Sequence, residues 1–233
     1  CNSQPYSHIH RPGIAVGGHC IPVYPRLYLS TDPGATVVRA AREANAAMPA
    51  YAVSRAAEVL GGLEGMRAAV LGASYRGGVK ETAFSGVFPT VEALREAGAE
   101  VLVHDPLYTD EELAGFGWTP YHLGEGADVV IVQADHPEYA RLEPADAPGA
   151  RLLVDGRGAT DPALWRGVPR ITIGGGGPRG GSAGAGGPSG PGGPRARQWW
   201  SPPAPSPPSP LPPPCAWAPS PPPWPNGATT CSS

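Results

Sequence analysis

Short apolar runs alternate with segments of helical spacing between residues 66 and 173, and this alternation limits the fold more than any other feature of the chain. Five runs predict strands, and they cover residues 68–71, 101–103, 127–132, 151–154 and 170–173. Residues 87–97, between the first two runs, have helical spacing with their apolar residues on one side. Residues 127–132 are apolar without a break, which is typical of a strand covered on both faces. The pattern therefore predicts an α/β fold with a doubly wound parallel sheet.

Glycines and polar residues follow four of the predicted strands, at residues 72–76, 105–107, 133–136 and 155–157. Because ligands of such sheets bind beyond the carboxyl ends of the strands, we expect a ligand to bind there. The turn at residues 72–77 lacks the G-x-G-x-x-G spacing that brings backbone amides onto a pyrophosphate. We therefore do not expect NAD to bind in this domain. Arg76 and Lys80 are candidate cationic contacts for that ligand, and a solvated loop is the alternative.

The composition changes sharply at residue 174. Residues 174–233 are almost entirely Gly, Pro, Ser and Ala, and their only charged residues are Arg179, Arg195 and Arg197. Such a segment has too little apolar surface to offset the entropy of ordering it, so we expect a disordered tail. Two explanations of the tail remain open: a polyproline ligand for another protein, and a reading-frame change in a GC-rich gene. Without the three arginines, 14 Lys and Arg face 20 Asp and Glu, which argues against a nucleic-acid-binding protein.

The four cysteines lie at positions 1, 20, 215 and 231 and form no Cys-x-x-Cys pair. This spacing supports neither a disulfide framework nor a zinc site, so no metal is expected. No apolar run approaches the roughly 18 residues that cross a bilayer, and no signal peptide is visible. We therefore expect a reduced cytoplasmic protein with no membrane partner. The chain begins with Cys1 rather than Met, which indicates the back part of something longer; a lipidated N-terminal cysteine is the weaker alternative.

A glycine pair precedes Cys20 by one residue, in the sequence Gly17-Gly18-His19-Cys20. Glycines allow a substrate to approach the backbone closely, and a thiol presented there can act as a nucleophile once its thiolate is favoured. His19 and Arg11 are nearby groups that could supply positive charge. The alternative is a small buried cysteine in a turn. The first 34 residues are predicted to be a loop without regular structure because prolines recur in them, at positions 5, 12, 22, 25 and 33.

Residues 35–62 have helical spacing, and Val37, Val38 and Met48 fall on one face. Pro49 is expected to break or kink this segment because it lacks a backbone N–H. The glycines at positions 61 and 62 are expected to end the helix.

Four motifs give the chain a resemblance to the NAD-dependent nucleotide-sugar dehydrogenases, the UDP-glucose/GDP-mannose dehydrogenase family. Residues 11–25, RPGIAVGGHCIPVYP, resemble the catalytic-cysteine loop of that family, in a form most similar to its UDP-N-acetyl-D-mannosamine branch. Residues 70–76 and 100–106 resemble the first and second strands of the family's C-terminal UDP-binding domain, and residues 154–157 resemble its DGR turn. The resemblance thus covers the C-terminal portion of such an enzyme and implies a Rossmann-like sheet.

The resemblance divides the chain into four parts. Residues 1–34 correspond to the catalytic-cysteine loop, residues 35–62 to a connecting helix through which the family dimerises, and residues 63–173 to the UDP-binding domain. Residues 174–233 form the tail. An ordinary packing helix is the alternative for residues 35–62. The resemblance also implies a homodimer and a role in polysaccharide biosynthesis.

The chemistry that the resemblance implies is the oxidation of a C6 alcohol of a UDP-sugar to a carboxylate with two NAD. Cys20 would form a thiohemiacetal with the intermediate aldehyde, then a thioester that water hydrolyses. The substrate-binding set implied is Arg11, Gly17, Gly18, His19, Arg76, Lys80 and Arg157. Arg76 stands where the family has a substrate-contacting lysine. Arg157 would pair with phosphates or with the carboxylate product, and a surface salt bridge is the alternative.

Three departures from the family pattern bear on activity. The family's NAD-binding domain is absent, so we expect NAD to bind mainly outside this chain and the chain alone not to turn over. Tyr24 stands where the family has an aspartate that helps to activate water, although Asp32 is close in sequence. Ala83 replaces an arginine of the family's T-R-E-S stretch. A non-catalytic UDP-sugar-binding remnant is therefore the alternative function, and an interaction protein that works through its tail is a third.

Overall fold

Six parallel strands form one sheet in a computed structural model of the chain, which describes residues 12–174. In chain order they are β1 (Arg67–Leu71), β2 (Glu100–His104), β3 (Thr119–Pro120), β4 (Val129–Val132), β5 (Leu152–Asp155) and β6 (Arg170–Thr172). Their order across the sheet is β3-β2-β1-β4-β5-β6, so the direction of winding reverses between β1 and β4. The predicted doubly wound sheet is confirmed. The two-residue strand β3 was not predicted, because a run so short has no periodicity.

Four α-helices accompany the sheet: α1 (Cys20–Thr31), α2 (Thr36–Leu60), α3 (Val87–Glu96) and α4 (Asp110–Gly115). Two short 3-10 helices, Pro137–Arg141 and Pro144–Asp146, follow β4. Helix α4 begins with a capping box, in which Thr109 and Glu112 satisfy each other's backbone N–H groups. Within residues 12–174, no helix combines the length and the apolar character that a bilayer crossing requires.

Both faces of the sheet are covered, as the unbroken apolar strands predict. On one face Val70, Ile131 and Val154 pack with residues of α2 and α3. On the other face Leu71 and Leu153 lie in a second cluster with the fully buried Tyr139 and Trp165. Because burial on both faces removes most apolar side chains of the strands from water, the sheet is a rigid support for the loops at its edges.

The prediction that residues 1–34 lack regular structure is wrong for residues 20–31, which form α1. Pro22 falls in the first turn of this helix, where backbone N–H groups have no partner within the helix, so proline is tolerated there. Pro25 lies farther inside and leaves the carbonyl of Ile21 without its usual donor. The number of prolines therefore does not predict a loop here, because the effect of each proline on the helix depends on its position within the turns. Residues 1–11, with Arg11 and Cys1, lie outside the described residues.

Helix α2 is continuous through Pro49, so of the two effects expected of this proline, a break or a kink, the break does not occur. Pro49 is buried, and Ala52, Val53 and Ala56 on the following turns are buried against the core. This packing offsets the missing backbone hydrogen bond. The predicted end is confirmed, since Gly61 closes the helix in the left-handed conformation with φ of 78°. The predicted tail lies outside the described residues, apart from Gly174.

Candidate functional site

The four turns predicted to hold a ligand all follow the carboxyl ends of neighbouring strands. Residues 72–76 follow β1, residues 105–107 follow β2, residues 133–136 follow β4 and residues 155–157 follow β5. Because these strands are parallel and adjacent, the turns meet at one edge of the sheet. This edge is the candidate site.

Asp105 connects three of these turns from beneath. Its Oδ2 accepts hydrogen bonds from the backbone N–H groups of Ala73 (2.8 Å) and Ser74 (2.9 Å), from the Ser74 hydroxyl (3.0 Å) and from His136 Nε2 (3.1 Å). Burial raises the pKa of Asp105, but hydrogen bonds from His136, Ser74 and Leu107 outweigh it and lower the pKa from 3.8 to about 2. A buried carboxylate thus fixes the floor of the site in its ionised form.

His136 is held in one tautomer by this network. The backbone N–H of Gly78 donates to its Nδ1 at 3.3 Å, so the ring proton lies on Nε2 and points to Asp105. The ring is 1% exposed. His136 therefore connects residues 72–86, the loop after β1, to the end of β4.

Asp155, at the end of β5, is a second buried carboxylate that holds a turn of the site in place. It is fully buried and accepts hydrogen bonds from Thr160, from the backbone N–H of Ala159 and from the Arg170 guanidinium at 2.7 Å. Burial raises the pKa of Asp155, but these donors outweigh it and lower the pKa below its usual value. The DGR turn is thereby fixed to β6.

Arg157 is half-buried and bonds to backbone rather than to an acid. Its Nη2 donates to the carbonyl of Tyr75 at 2.8 Å and its Nε to the carbonyl of Gln133 at 3.3 Å. Burial lowers the pKa of Arg157, and Asp135 partly opposes this. The surface salt bridge considered from the sequence is not formed among the described residues. Arg157 links the loop after β1 to the end of β4.

Arg76 and Lys80 lie on the exposed side of the same loop. The guanidinium of Arg76 lies 5.9 Å from the centre of the Tyr75 ring. Lys80 Nζ donates to both carboxylate oxygens of Glu112, at 2.6 and 2.7 Å, and lies 5.1 Å from the centre of the Tyr108 ring. Arg76 thus has its charge in solvent at the site, whereas Lys80 is already paired with an acid.

Residues 12–18, the crossing segment, lie over the ends of β4 and β5. The N–H of Ile14 donates to the carbonyl of Gly156 at 3.2 Å, and the carbonyl of Ile14 accepts from Gln133 Nε2 at 2.7 Å. The N–H of Val16 donates to Asn45 Oδ1 on α2 at 2.8 Å. Ile14 is fully buried. The crossing segment therefore occupies part of the crevice near the point where the winding of the sheet reverses.

The two glycines before the cysteine are buried against the loop after β1. A Cβ on Gly17 would lie 2.6 Å from the Cβ of Tyr75 and 2.8 Å from the carbonyl oxygen of Phe84, so only glycine fits without a shift of the backbone. The N–H of Gly18 donates to the carbonyl of Ala83 at 2.8 Å. Ala83 thus contacts Gly18 of the crossing segment through its backbone, although its side chain lacks a charge.

Cys20 is exposed and is the first residue of α1, which excludes the alternative of a buried cysteine in a turn. His19 Nε2 forms a hydrogen bond with Glu81 Oε1 of the loop after β1. Tyr24, one turn further along α1, is 64% exposed. Asp32 follows the end of α1 and accepts a long hydrogen bond of 3.4 Å from the Tyr28 hydroxyl. The loop after β1 therefore contacts both residues that precede Cys20.

An apolar cavity of about 420 Å³ lies between α1 and α2. Its lining includes Ile21 and Pro25 of α1 and Val37 and Val38 of α2, with Arg42 at its polar side. Arg42 donates to the carbonyl of Pro22 at 2.7 Å and so joins the two helices. The sequence did not predict this cavity, because α1 was expected to be a loop.

Sequence reasoning missed four residues that organise the site: Asn45, Glu81, Glu112 and Gln133. Each makes its contact with a residue far away in sequence, so no local motif indicates it. Among residues 12–174, no group of three or more His, Cys, Asp or Glu side chains is placed to hold a metal ion.

Comparison with known proteins gives one consistent result. Residues 69–162 match the UDP binding domain of the UDP-glucose/GDP-mannose dehydrogenase family. A UDP-N-acetyl-D-mannosamine dehydrogenase of Pyrococcus horikoshii is 35% identical over 166 residues, which are 67% of this chain and 38% of that protein. One of Methanocaldococcus jannaschii is 29% identical over 173 residues, 70% of this chain and 39% of that protein. The chain spans about two fifths of the length of these curated relatives.

Solved structures with the same fold carry related names. The structure of UDP-D-ManNAc dehydrogenase from Pyrococcus horikoshii has a TM-score of 0.59 and 30% sequence identity, and covers 74% of this chain and 42% of its own. A UDP-glucose dehydrogenase from the hyperthermophilic archaeon Pyrobaculum islandicum has a TM-score of 0.56 and 25% identity, and covers 69% of this chain and 38% of its own. These matches extend beyond the α/β domain to most of the described residues.

Proposed function

We propose that the chain is the C-terminal part of a nucleotide-sugar 6-dehydrogenase, because residues 69–162 match the UDP binding domain of the UDP-glucose/GDP-mannose dehydrogenase family and the relatives and structures above are similar to the chain. This enzyme would oxidise the C6 alcohol of a UDP-sugar to a uronate, a precursor for polysaccharide biosynthesis, in the cytoplasm. A 2-acetamido sugar is the proposed substrate class, since the relatives include UDP-N-acetyl-D-mannosamine dehydrogenases. Residues 1–34, 35–62 and 63–173 would supply the nucleophile, the dimer contact and the UDP site.

One observation supports the proposal most: the exposed Cys20 follows residues that contact the loop after β1, at the edge of a sheet in a domain that matches the UDP binding domain model. Gly18 and His19, just before Cys20, contact Ala83 and Glu81 of the loop after β1. That loop also presents Arg76 to solvent. A UDP-sugar whose phosphates lie near this loop would have its sugar directed towards α1.

Cys20 would act on the aldehyde that the first oxidation produces. Its thiolate sulfur adds to the C6 carbon, a C–S bond forms, and the thiohemiacetal oxygen takes up a proton. Oxidation of this adduct gives a thioester, and water cleaves the C–S bond to release the carboxylate and restore the thiol. Covalent attachment keeps the aldehyde from escaping between the two oxidations. Arg76, Arg157, Lys80 and the undescribed Arg11 are the proposed cationic ligands of the nucleotide.

NAD, the oxidant of this family, does not fit the described α/β domain. The turn after β1 lacks the glycine spacing of a dinucleotide site, and Ile14 of the crossing segment is fully buried over the neighbouring strand ends. We therefore assign no step of hydride transfer to residues of this chain. NAD would bind in a part of the enzyme that this chain does not contain.

A UDP-sugar-binding remnant without activity is the second candidate. It is favoured by Tyr24, because a phenol is a weak base for water near neutral pH, whereas the family pattern has an aspartate. Both candidates require the same nucleotide site. They differ in whether Cys20 forms a covalent adduct with a sugar aldehyde.

Calorimetric titration of the full chain with UDP and with UDP-N-acetylmannosamine tests the shared part of the proposal. We expect saturable binding of both ligands, and Arg76→Gln weakens it by about tenfold because it removes one charge-assisted contact. Arg166→Gln is the matched control, since Arg166 is also exposed but precedes β6 and so lies away from the carboxyl ends. Equal affinity of the two variants would contradict the proposed site.

A second assay separates the two candidates. A UDP-sugar 6-aldehyde is added to the full chain, and native mass spectrometry, without a reducing agent, detects the adduct. The Cys20→Ser variant serves as the control. A dehydrogenase part forms an adduct that the control lacks, whereas a remnant binds the nucleotide without an adduct at Cys20.

A further inference from the structure

Gln133, the residue after β4, is buried and uses both ends of its side-chain amide. It is 2% exposed. Its Oε1 accepts a hydrogen bond from the Thr90 hydroxyl of α3 at 3.0 Å, and its Nε2 donates to the carbonyl of Ile14 at 2.7 Å. The two contacts determine which way the amide points, since only the nitrogen can donate to a carbonyl. Gln133 thus connects the central strand, α3 and the crossing segment.

The crossing segment depends on such outside contacts. Residues 12–18 are neither helix nor strand, and Ala15 has a φ of 62°, a left-handed conformation that a residue with a Cβ rarely adopts. Its backbone is held by Gly156, Gln133, Asn45 and Ala83. Only His19 lies between this segment and Cys20, the first residue of α1. The place of the thiol is therefore set by how firmly the crossing segment is held.

The bond from Gln133 requires a close approach that a neighbouring glycine allows. A Cβ on Gly86 would lie 2.6 Å from Gln133 Nε2 and 2.6 Å from the carbonyl oxygen of Ile14. A larger residue at this position would separate the donor from the acceptor. The local packing of Gly86 and the burial of Gln133 are thus matched to this hydrogen bond.

We propose that Gln133 is a positioning residue for Cys20: its amide fixes Ile14, and with it the crossing segment, over the carboxyl end of β4. The inference rests on the proposed function of Cys20 as the nucleophile. Gln133 touches no reacting atom. Its effect is to keep the thiol in one place relative to the loop after β1.

The test compares Gln133→Glu with Thr90→Val in the full chain. An ionised glutamate still accepts from Thr90 but has no hydrogen to donate to Ile14; because a buried glutamate can protonate and donate through its O–H, Gln133→Met removes the donor in either case. Thr90→Val removes the other contact and leaves the donor in place. Two readouts are used: amide hydrogen exchange at Ile14 and Val16, and the alkylation rate of Cys20 measured on its own peptide. Digestion with chymotrypsin, which cleaves after Tyr6 and Trp217, places Cys1, Cys215 and Cys231 on other peptides than Cys20, and these cysteines serve as internal references.

We expect Gln133→Glu to speed exchange at Ile14 and Val16 by about tenfold, the effect of one lost buried hydrogen bond, and to change the alkylation rate of Cys20 at least threefold. Thr90→Val leaves both within about twofold. A merely structural role would lower the unfolding temperature in both variants without this local difference. Gln133→Met, which loses the donor without adding a charge, repeats the test if the glutamate variant does not fold.

Unchanged exchange and alkylation in folded Gln133→Glu and Gln133→Met would overturn the inference. Neither readout uses substrate or NAD. A chain in which Gln133 controls Cys20 but no UDP-sugar binds would therefore refute the proposed function and leave the positioning role intact.

Discussion

Replacing Asp105 by Asn tests the buried network beneath the candidate site. The carboxylate has five partners: four donate to its Oδ2, and the N–H of Leu107 donates to its Oδ1 at 2.9 Å. An asparagine offers one oxygen only, so its amide nitrogen must face N–H donors in either orientation. At least one buried donor is left unsatisfied, and the charge that His136 and Ser74 stabilise is lost.

The magnitude follows from the pKa of Asp105. Its fall from 3.8 to about 2 corresponds to about 2 kcal/mol of stabilisation, and the unsatisfied donor costs about 1 kcal/mol more. We therefore expect Asp105→Asn to lower the free energy of unfolding by about 3 kcal/mol at pH 7. Because the folded-state pKa is depressed, the charge-dependent part is fully present above about pH 5 and disappears as the pH falls through 4 towards 2.

Urea unfolding of the full chain, followed by circular dichroism between pH 7 and pH 2.5, measures this effect. The difference between wild type and Asp105→Asn shrinks by more than about 1 kcal/mol across that range, while other carboxylates titrate equally in both proteins. Asp161→Asn is the control, because Asp161 is exposed and caps one N–H that asparagine also caps. A pH-independent difference, or a loss as small as that of Asp161→Asn, would refute the reasoning.

Three further predictions concern other parts of the fold. Gly17→Ala lowers the free energy of unfolding by about 1–3 kcal/mol in urea, because the new Cβ overlaps Tyr75 and the Phe84 carbonyl; a loss below about 0.5 kcal/mol would show that the loop after β1 yields freely. Arg170→Ala costs about 1–3 kcal/mol in the same assay, because the buried Asp155 loses its charged donor, and an unchanged midpoint would contradict that. If α2 forms the proposed dimer, light scattering on the full chain gives twice the monomer mass. The double variant Tyr51→Glu, Val59→Glu, which changes two exposed residues of α2, then gives the monomer mass. A monomeric wild type would exclude this dimer contact.

The sheet could be predicted from the sequence because its signal is local. Each of the five longer strands is an apolar run, and each strand end carries its glycine or acid within a few residues. Helix α1 and strand β3 could not be predicted in this way. The prolines of α1 are tolerated only because of where they fall in its turns, and β3 has two residues.

The sequence predicted where the candidate site lies but not the side-chain contacts within it. The turns at the ends of β1, β2, β4 and β5 were expected at one edge of the sheet, and they are found there. The contacts that hold residues 12–20 against these turns are long-range in sequence: Gln133 and Ile14 are 119 residues apart, and His19 and Glu81 are 62 residues apart. Such pairs leave no spacing pattern, so only the folded chain reveals them.

The central claim is that Cys20 lies beside a nucleotide-sugar site, and protection from alkylation tests it most directly. Full-length chain is treated with iodoacetamide at increasing concentrations of UDP-N-acetylmannosamine, and the peptides of all four cysteines are quantified. We predict a saturable slowing at Cys20, at least about tenfold when the site is filled, with unchanged rates at Cys1, Cys215 and Cys231. Equal rates at Cys20 with and without millimolar ligand would contradict the claim.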